Sequence, residues 1–206
     1  MNCIYELLIN LIKTIKTNTK NNKAKYCEID EFKITDYQDV FNSMIRHIEI
    51  PEENYYVSKE AIKLWEKLSK DNIFNYHYTD SVKYDFTEPI RLPHYTGGAK
   101  KTNLYIDFPN KNNKFDFRSV FHEEHITDIK SICKKLISLP DEELTEENIH
   151  NILSNICIAI ILKEEDHKLK KNDRGITFKE AIPYYDKEGI ELLTKAQYIE
   201  YYNKRG

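Results

Sequence analysis

The stretch Phe121-His122-Glu123-Glu124-His125-Ile126-Thr127 sets four titratable side chains in a row between apolar residues. A zinc protease would need H-E-x-x-H, which puts two histidines at i and i+4 on one helical face. Here the histidines are three apart and no third ligand is evident, so that chemistry is set aside. Two interpretations remain. The segment is either a solvated strand end with incidental charge, or a strand that carries a metal-dependent site.

The surroundings favour a strand. Upstream, Leu104–Phe108 alternates as a strand does, 110–113 is a turn signal, and 115–126 is expected to return as its hairpin partner. Tyr76, Tyr78, Val82, Tyr84 and Phe86 suggest further short strands and turns. Downstream, Ile129, Ile132, Cys133, Leu136 and Ile137 fall on one helical face, with Thr127 or Asp128 able to cap it. Thr145 opens another helix around Ile149, Ile152 and Leu153. Residues 156–162 are continuously apolar, as a buried strand is. Residues 163–171 are charged enough for a short surface helix, and 178–202 hold two more helices separated near Gly189.

At the other end, Ile4, Leu7, Leu8, Leu11, Ile12 and Ile15 have helical spacing. A polar linker over 17–25 follows. Asp36 is placed to cap a helix carrying Val40, Phe41, Met44, Ile45 and Ile48, and Pro51 ends it. Ser58 opens a third helix with Ala61, Ile62, Trp65 and Leu68. The expectation is a mainly helical α+β protein with a small antiparallel β-hairpin core. It comprises a helical region over 1–72 and an α+β region over 73–206, or one continuous domain.

Glu124-His125-Ile126 resembles the acid-His-Ile core that opens the motif of HNH (His-Me finger) endonucleases, although members more often carry Asp-His-Ile-x-Pro. Glu stands here in place of Asp, and Asp128 in place of Pro. By order along the chain, 156–162 matches the second strand and Lys163-Glu164-Glu165-Asp166-His167 the opening of the metal-bearing helix. Two helices between the strands make a long insertion, and Asn148 and Asn155 are the candidates for the family's central Asn. The resemblance covers about 115–171. It implies a ββα-metal core, a divalent cation with Mg²⁺ foremost, and hydrolysis of phosphodiester bonds. His125 would be the general base, Glu124 a metal ligand, and Asp166 or His167 the second ligand. DNA is favoured over RNA, in an endonuclease of restriction or phage-defence type, and a homodimer would match two-fold DNA sites.

Cations are available for phosphate contact. The loop over 93–103 holds Gly97-Gly98, which permits close backbone approach, and Lys100 and Lys101. Arg91 lies just upstream, Arg118 on the expected returning strand, and Arg174 beyond the acidic segment. The loop lacks P-loop spacing. Glu31-Phe32-Lys33 matches half of another nuclease motif, a pattern common by chance. The fifteen tyrosines can stack on bases but serve packing equally well.

Composition bounds the rest. With 206 residues, 40% of them hydrophobic and 32% charged, the chain has a globular balance. A net charge of −3 argues against a dedicated nucleic-acid coat protein, while leaving room for a local basic face. Cys3, Cys27, Cys133 and Cys157 form no C-x-x-C pair, so a zinc ribbon is not expected; Cys133 and Cys157 sit in apolar runs and are expected as buried free thiols, and the set points to a reducing compartment. No stretch has the length or cleavage site of a membrane span or leader, so a cytoplasmic protein is expected. Two other functions compete with the nuclease: a non-catalytic interaction module with amphipathic helices at both ends, and a metal-independent ribonuclease toxin.

Overall fold

A computed structural model of the chain describes residues 3–21, 41, 43–45, 48–77, 79–83, 90–94, 104–108, 114–169 and 174–204. The chain packs as two units. The first draws on Met1–Ile50, Thr127–Ile156 and Asn172–Ala181, the second on Pro51–Ile126, Cys157–Lys171 and Ile182–Gly206.

In the first unit, α1 (Cys3–Asn21) packs against α4 (Ile129–Ser138) and α5 (Glu146–Leu153). The expected stripes do the burying: Leu8, Ile12 and Ile15 on α1, and Ile129, Ile132, Cys133 and Leu136 on α4. Leu7, on the margin of the α1 stripe, is exposed. Asp128 caps α4, its carboxylate accepting from the Lys130 N–H at 3.0 Å and from the Ser131 hydroxyl at 2.7 Å. Thr145 caps α5. Lys16 ties α1 to the end of α4, donating to the Leu139 carbonyl and to Asp141 at 2.8 Å.

The second unit is built on a four-stranded mixed sheet of order β6-β7-β1-β8. The strands are β1 (Tyr55–Ser58), β6 (Phe121–His125), β7 (Ile158–Leu162) and β8 (Leu192–Thr194). β7 pairs parallel to β1 and antiparallel to β6, while β8 pairs antiparallel to β1. Two further ribbons join β2 (Ser81–Lys83) to β5 (Lys114–Asp116) and β3 (Ile90–His94) to β4 (Leu104–Phe108). The fold is mixed α+β.

Helix α2 (Lys59–Leu68) covers β7. Its cap is Ser58, whose side chain accepts from the Ala61 N–H, and Ala61, Ile62, Trp65 and Leu68 are all buried, as their spacing predicts. Trp65 centres an aromatic cluster. It meets Tyr76 at 5.0 Å, Phe121 at 5.6 Å and Phe117 at 5.9 Å between ring centroids, each tilted or edge-on, as ring quadrupoles favour. The turn α3 (Phe117–Val120) leads into β6, and α6 (Lys163–Asp166) continues directly from β7. α7 (Phe178–Lys187) and α8 (Lys195–Asn203) end the chain.

The structure corrects the expected hairpin. Leu104–Phe108 pairs with Ile90–His94, and 115–126 is split into β5, the α3 turn and β6. Strand β6 takes β7 as its partner instead. Alternation marks a strand but does not choose its neighbour, and β7 offers a wholly apolar face that must be covered. Strands β1 and β8 are too short to stand out beside the helices they precede. The helix expected over 163–171 is one turn in its described part, and its Glu165 is buried where a solvated charge was expected. Cys133 and Cys157 are buried thiols outside any disulfide, as expected. Among the described residues, no helix is long and apolar enough to cross a membrane.

Candidate metal centre

Side chains alternate along a strand, so His122 and Glu124 share one face of β6, with Glu123 and His125 on the other. The register sets His122 opposite Ile161 and Glu124 opposite Ala159, both fully buried. Phe121, opposite Leu162, belongs to the aromatic core. β7 then turns directly into α6, whose last residue, Asp166, comes back to His122.

The result is a cluster of one imidazole and two carboxylates. His122 Nε2 stands 3.1 Å from Glu124 Oε2 and 3.8 Å from Asp166 Oδ1, and one ligand atom from each residue lies within 4.8 Å of the others. Around an octahedral ion with bonds of about 2.1 Å, neighbouring ligand atoms are about 3 Å apart and opposite ones about 4.2 Å. Those spacings are of the size at which three side chains could share one small divalent cation. Its side chains retain little exposure, 9% for Glu124, 14% for Asp166 and 28% for His122, which leaves an approach on the histidine side.

Two cations flank the cluster. Arg118 precedes β6 on α3 and is exposed. Lys163 follows β7 and is half-buried. The Phe121–Leu162 pairing brings the two to the same end of the β6–β7 ribbon. Burial lowers the Lys163 pKa, the Arg118 guanidinium lowers it further, and Asp166 opposes both. Strand β3, which carries Arg91, lies against the α3 turn that carries Arg118.

Behind the cluster, Glu165 turns inward. Its Oε2 accepts the Ser58 hydroxyl at 2.5 Å and the Leu162 N–H at 2.8 Å. Burial raises its pKa, and those two hydrogen bonds act against the rise.

Of the residues expected to form the site, Glu124 and Asp166 come together. His122 joins them, and its signal was its i+2 spacing from Glu124, which strand alternation turns into a shared face. His167 is the exposed C-cap of α6, and His125 lies on the opposite face of β6; neither belongs to the cluster. Arg174 is buried and belongs to the first unit. Lys100 and Lys101 lie outside the described residues, and of Arg91 only the backbone is described. Neither a family model, nor a curated protein, nor a solved structure matches this chain.

Proposed function

We propose that the protein is a divalent-metal-dependent nuclease in which His122, Glu124 and Asp166 hold the ion. The observation that carries this reading is the convergence of their ligand atoms within 4.8 Å, contributed by a strand and by the helical turn after its antiparallel partner. That order, strand–strand–helix with ligands on the first and last parts, supports a ββα-metal arrangement of the HNH kind. A divalent cation at such a centre supplies Lewis acidity toward a phosphate oxygen and a water of lowered pKa. Arg118 and Lys163 add positive charge beside it, suited to non-bridging phosphate oxygens. DNA remains the favoured substrate. An imidazole among the ligands widens the choice of ion beyond Mg²⁺ to Mn²⁺ and Zn²⁺, which take nitrogen more readily.

The test is cleavage of supercoiled plasmid, and of a single-stranded RNA, in Mn²⁺, Mg²⁺, Zn²⁺ or EDTA. Metal-dependent nicking is expected, reduced at least about 100-fold in Glu124→Ala and in Asp166→Asn. Cleavage that survives EDTA, or is undiminished in Glu124→Ala, overturns the reading. His125→Ala separates two versions of it. Lost cleavage with metal affinity intact keeps His125 as the base, and unchanged cleavage assigns proton transfer to another group.

A further inference from the structure

We propose that Glu165 is the positioning residue of this centre: its buried hydrogen bonds hold Asp166 in place, and through Asp166 they set the affinity for the ion. The proposal rests on the metal-binding reading above.

Asp166 sits at the end of a helix only four residues long. One helical turn does not persist by itself, because fixing its dihedrals costs more than its single hydrogen bond returns. Something outside the turn must hold it. Glu165 has the required bonds. The residue is 5% exposed, and its carboxylate accepts from the Leu162 N–H at the turn's start and from the hydroxyl of Ser58, which is fully buried. The Ser58 oxygen accepts in turn from the Ala61 N–H at 3.0 Å. A continuous chain of hydrogen bonds thus runs from the first turn of α2, through the end of β1, to α6. Its anchor lies 107 residues earlier in the sequence than the carboxylate it holds.

The neighbours divide the labour. Glu164 is exposed, Glu165 points into the unit, and Asp166 faces His122 at 3.8 Å. Glu165 is not one of the clustered ligands. Rotating or unwinding α6 would carry Asp166 away from His122 and Glu124, whose own positions are fixed by the register of β6 on β7. Only the Asp166 arm of the centre depends on this strut.

Mn²⁺ affinity of the full chain, measured by titration calorimetry, tests the proposal, with unfolding followed through Trp65 fluorescence. Glu165→Gln keeps an oxygen that accepts both bonds and is expected to bind Mn²⁺ within about twofold of the wild type. Glu165→Ala removes both bonds and is expected to bind about tenfold or more weakly, the usual effect of losing an outer hydrogen bond to a metal ligand's support. Ser58→Ala, which leaves the carboxylate, is expected to weaken binding in the same direction, and it keeps the test open should Glu165→Ala not fold. Wild-type affinity in both Glu165→Ala and Ser58→Ala overturns the strut while leaving the metal centre standing. Failure of the wild type to bind Mn²⁺ overturns the metal centre, and the strut falls with it.

Discussion

Two glycines show how much a single backbone position can matter. Gly175 has φ +95° and Gly189 φ +70°, both in the region that side chains avoid. Their surroundings differ. A Cβ on Gly175 would lie 2.4 Å from the Glu180 Cβ, while a Cβ on Gly189 meets nothing within 4 Å. Gly189→Ala is therefore expected to cost about 1 kcal/mol, the strain of the left-handed conformation alone. Gly175→Ala is expected to cost about 2–3 kcal/mol, because steric displacement adds to that strain. Urea unfolding of the two variants, followed by circular dichroism, measures the difference. Equal midpoints would show that the loop before α7 relaxes freely. At the same scale, the histidines illustrate a limit of sequence reading. His122 and His125 flank the same two glutamates, and only the direction of each side chain off the strand separates a cluster member from its neighbour.

Among the elements, helix starts were the most legible. Ser58, Asp128 and Thr145 act as the caps their residue types and spacing indicate. The start of α7 is held differently. Glu180 reaches back and accepts from the Ile176 and Thr177 N–H groups and from the Thr177 hydroxyl. These bonds, the Ile176 N–H foremost, hold the Glu180 carboxyl below its ordinary pKa. The sign follows. A depressed carboxylate stabilises the fold above its unfolded pKa, about 4.3, and that contribution is lost as pH falls through the lower folded value. Glu180→Gln is expected to flatten the stability-versus-pH curve in that acid range while changing little in its shape above pH 6. An unchanged acid limb would mean that the exposed bonds of Glu180 are replaced by water at no cost. Short strands were the least legible elements. β1 and β8 give periodicity four and three residues to register in, and their pairing partners lie about a hundred residues away or more along the chain.

For the molecule as a whole, the proposed ion binding carries a consequence for stability. An ion that binds only the folded centre stabilises it by RT ln(1 + [L]/Kd), about 2.7 kcal/mol at a hundred times Kd. Trp65 is the only tryptophan and is buried in the second unit, beside Phe121 at the start of β6. Its fluorescence therefore reports the unit that carries the centre. Saturating Mn²⁺ is expected to raise the unfolding midpoint seen by Trp65 in the wild type and to leave it unmoved in Glu124→Ala. An equal rise in both would place the ion elsewhere.

What the sequence determined by itself was the set of amphipathic helices, most of their caps, the buried run that became β7, and a density of acid and histidine around 122–125 and 163–167. These are properties of spacing, and spacing is local. Through its resemblance to the HNH motif it also put Glu124 forward with either Asp166 or His167, by order along the chain and not by any measure of distance. The tertiary structure decided which strand β6 pairs with, and therefore which of its two faces holds a cluster. It brought in His122, and it turned Glu165 from an apparent surface charge into a buried anchor on Ser58. The physical reason is common to all three. Each depends on contacts between residues far apart in the chain, and those form only when apolar surface such as that of β7 finds the partner that buries it.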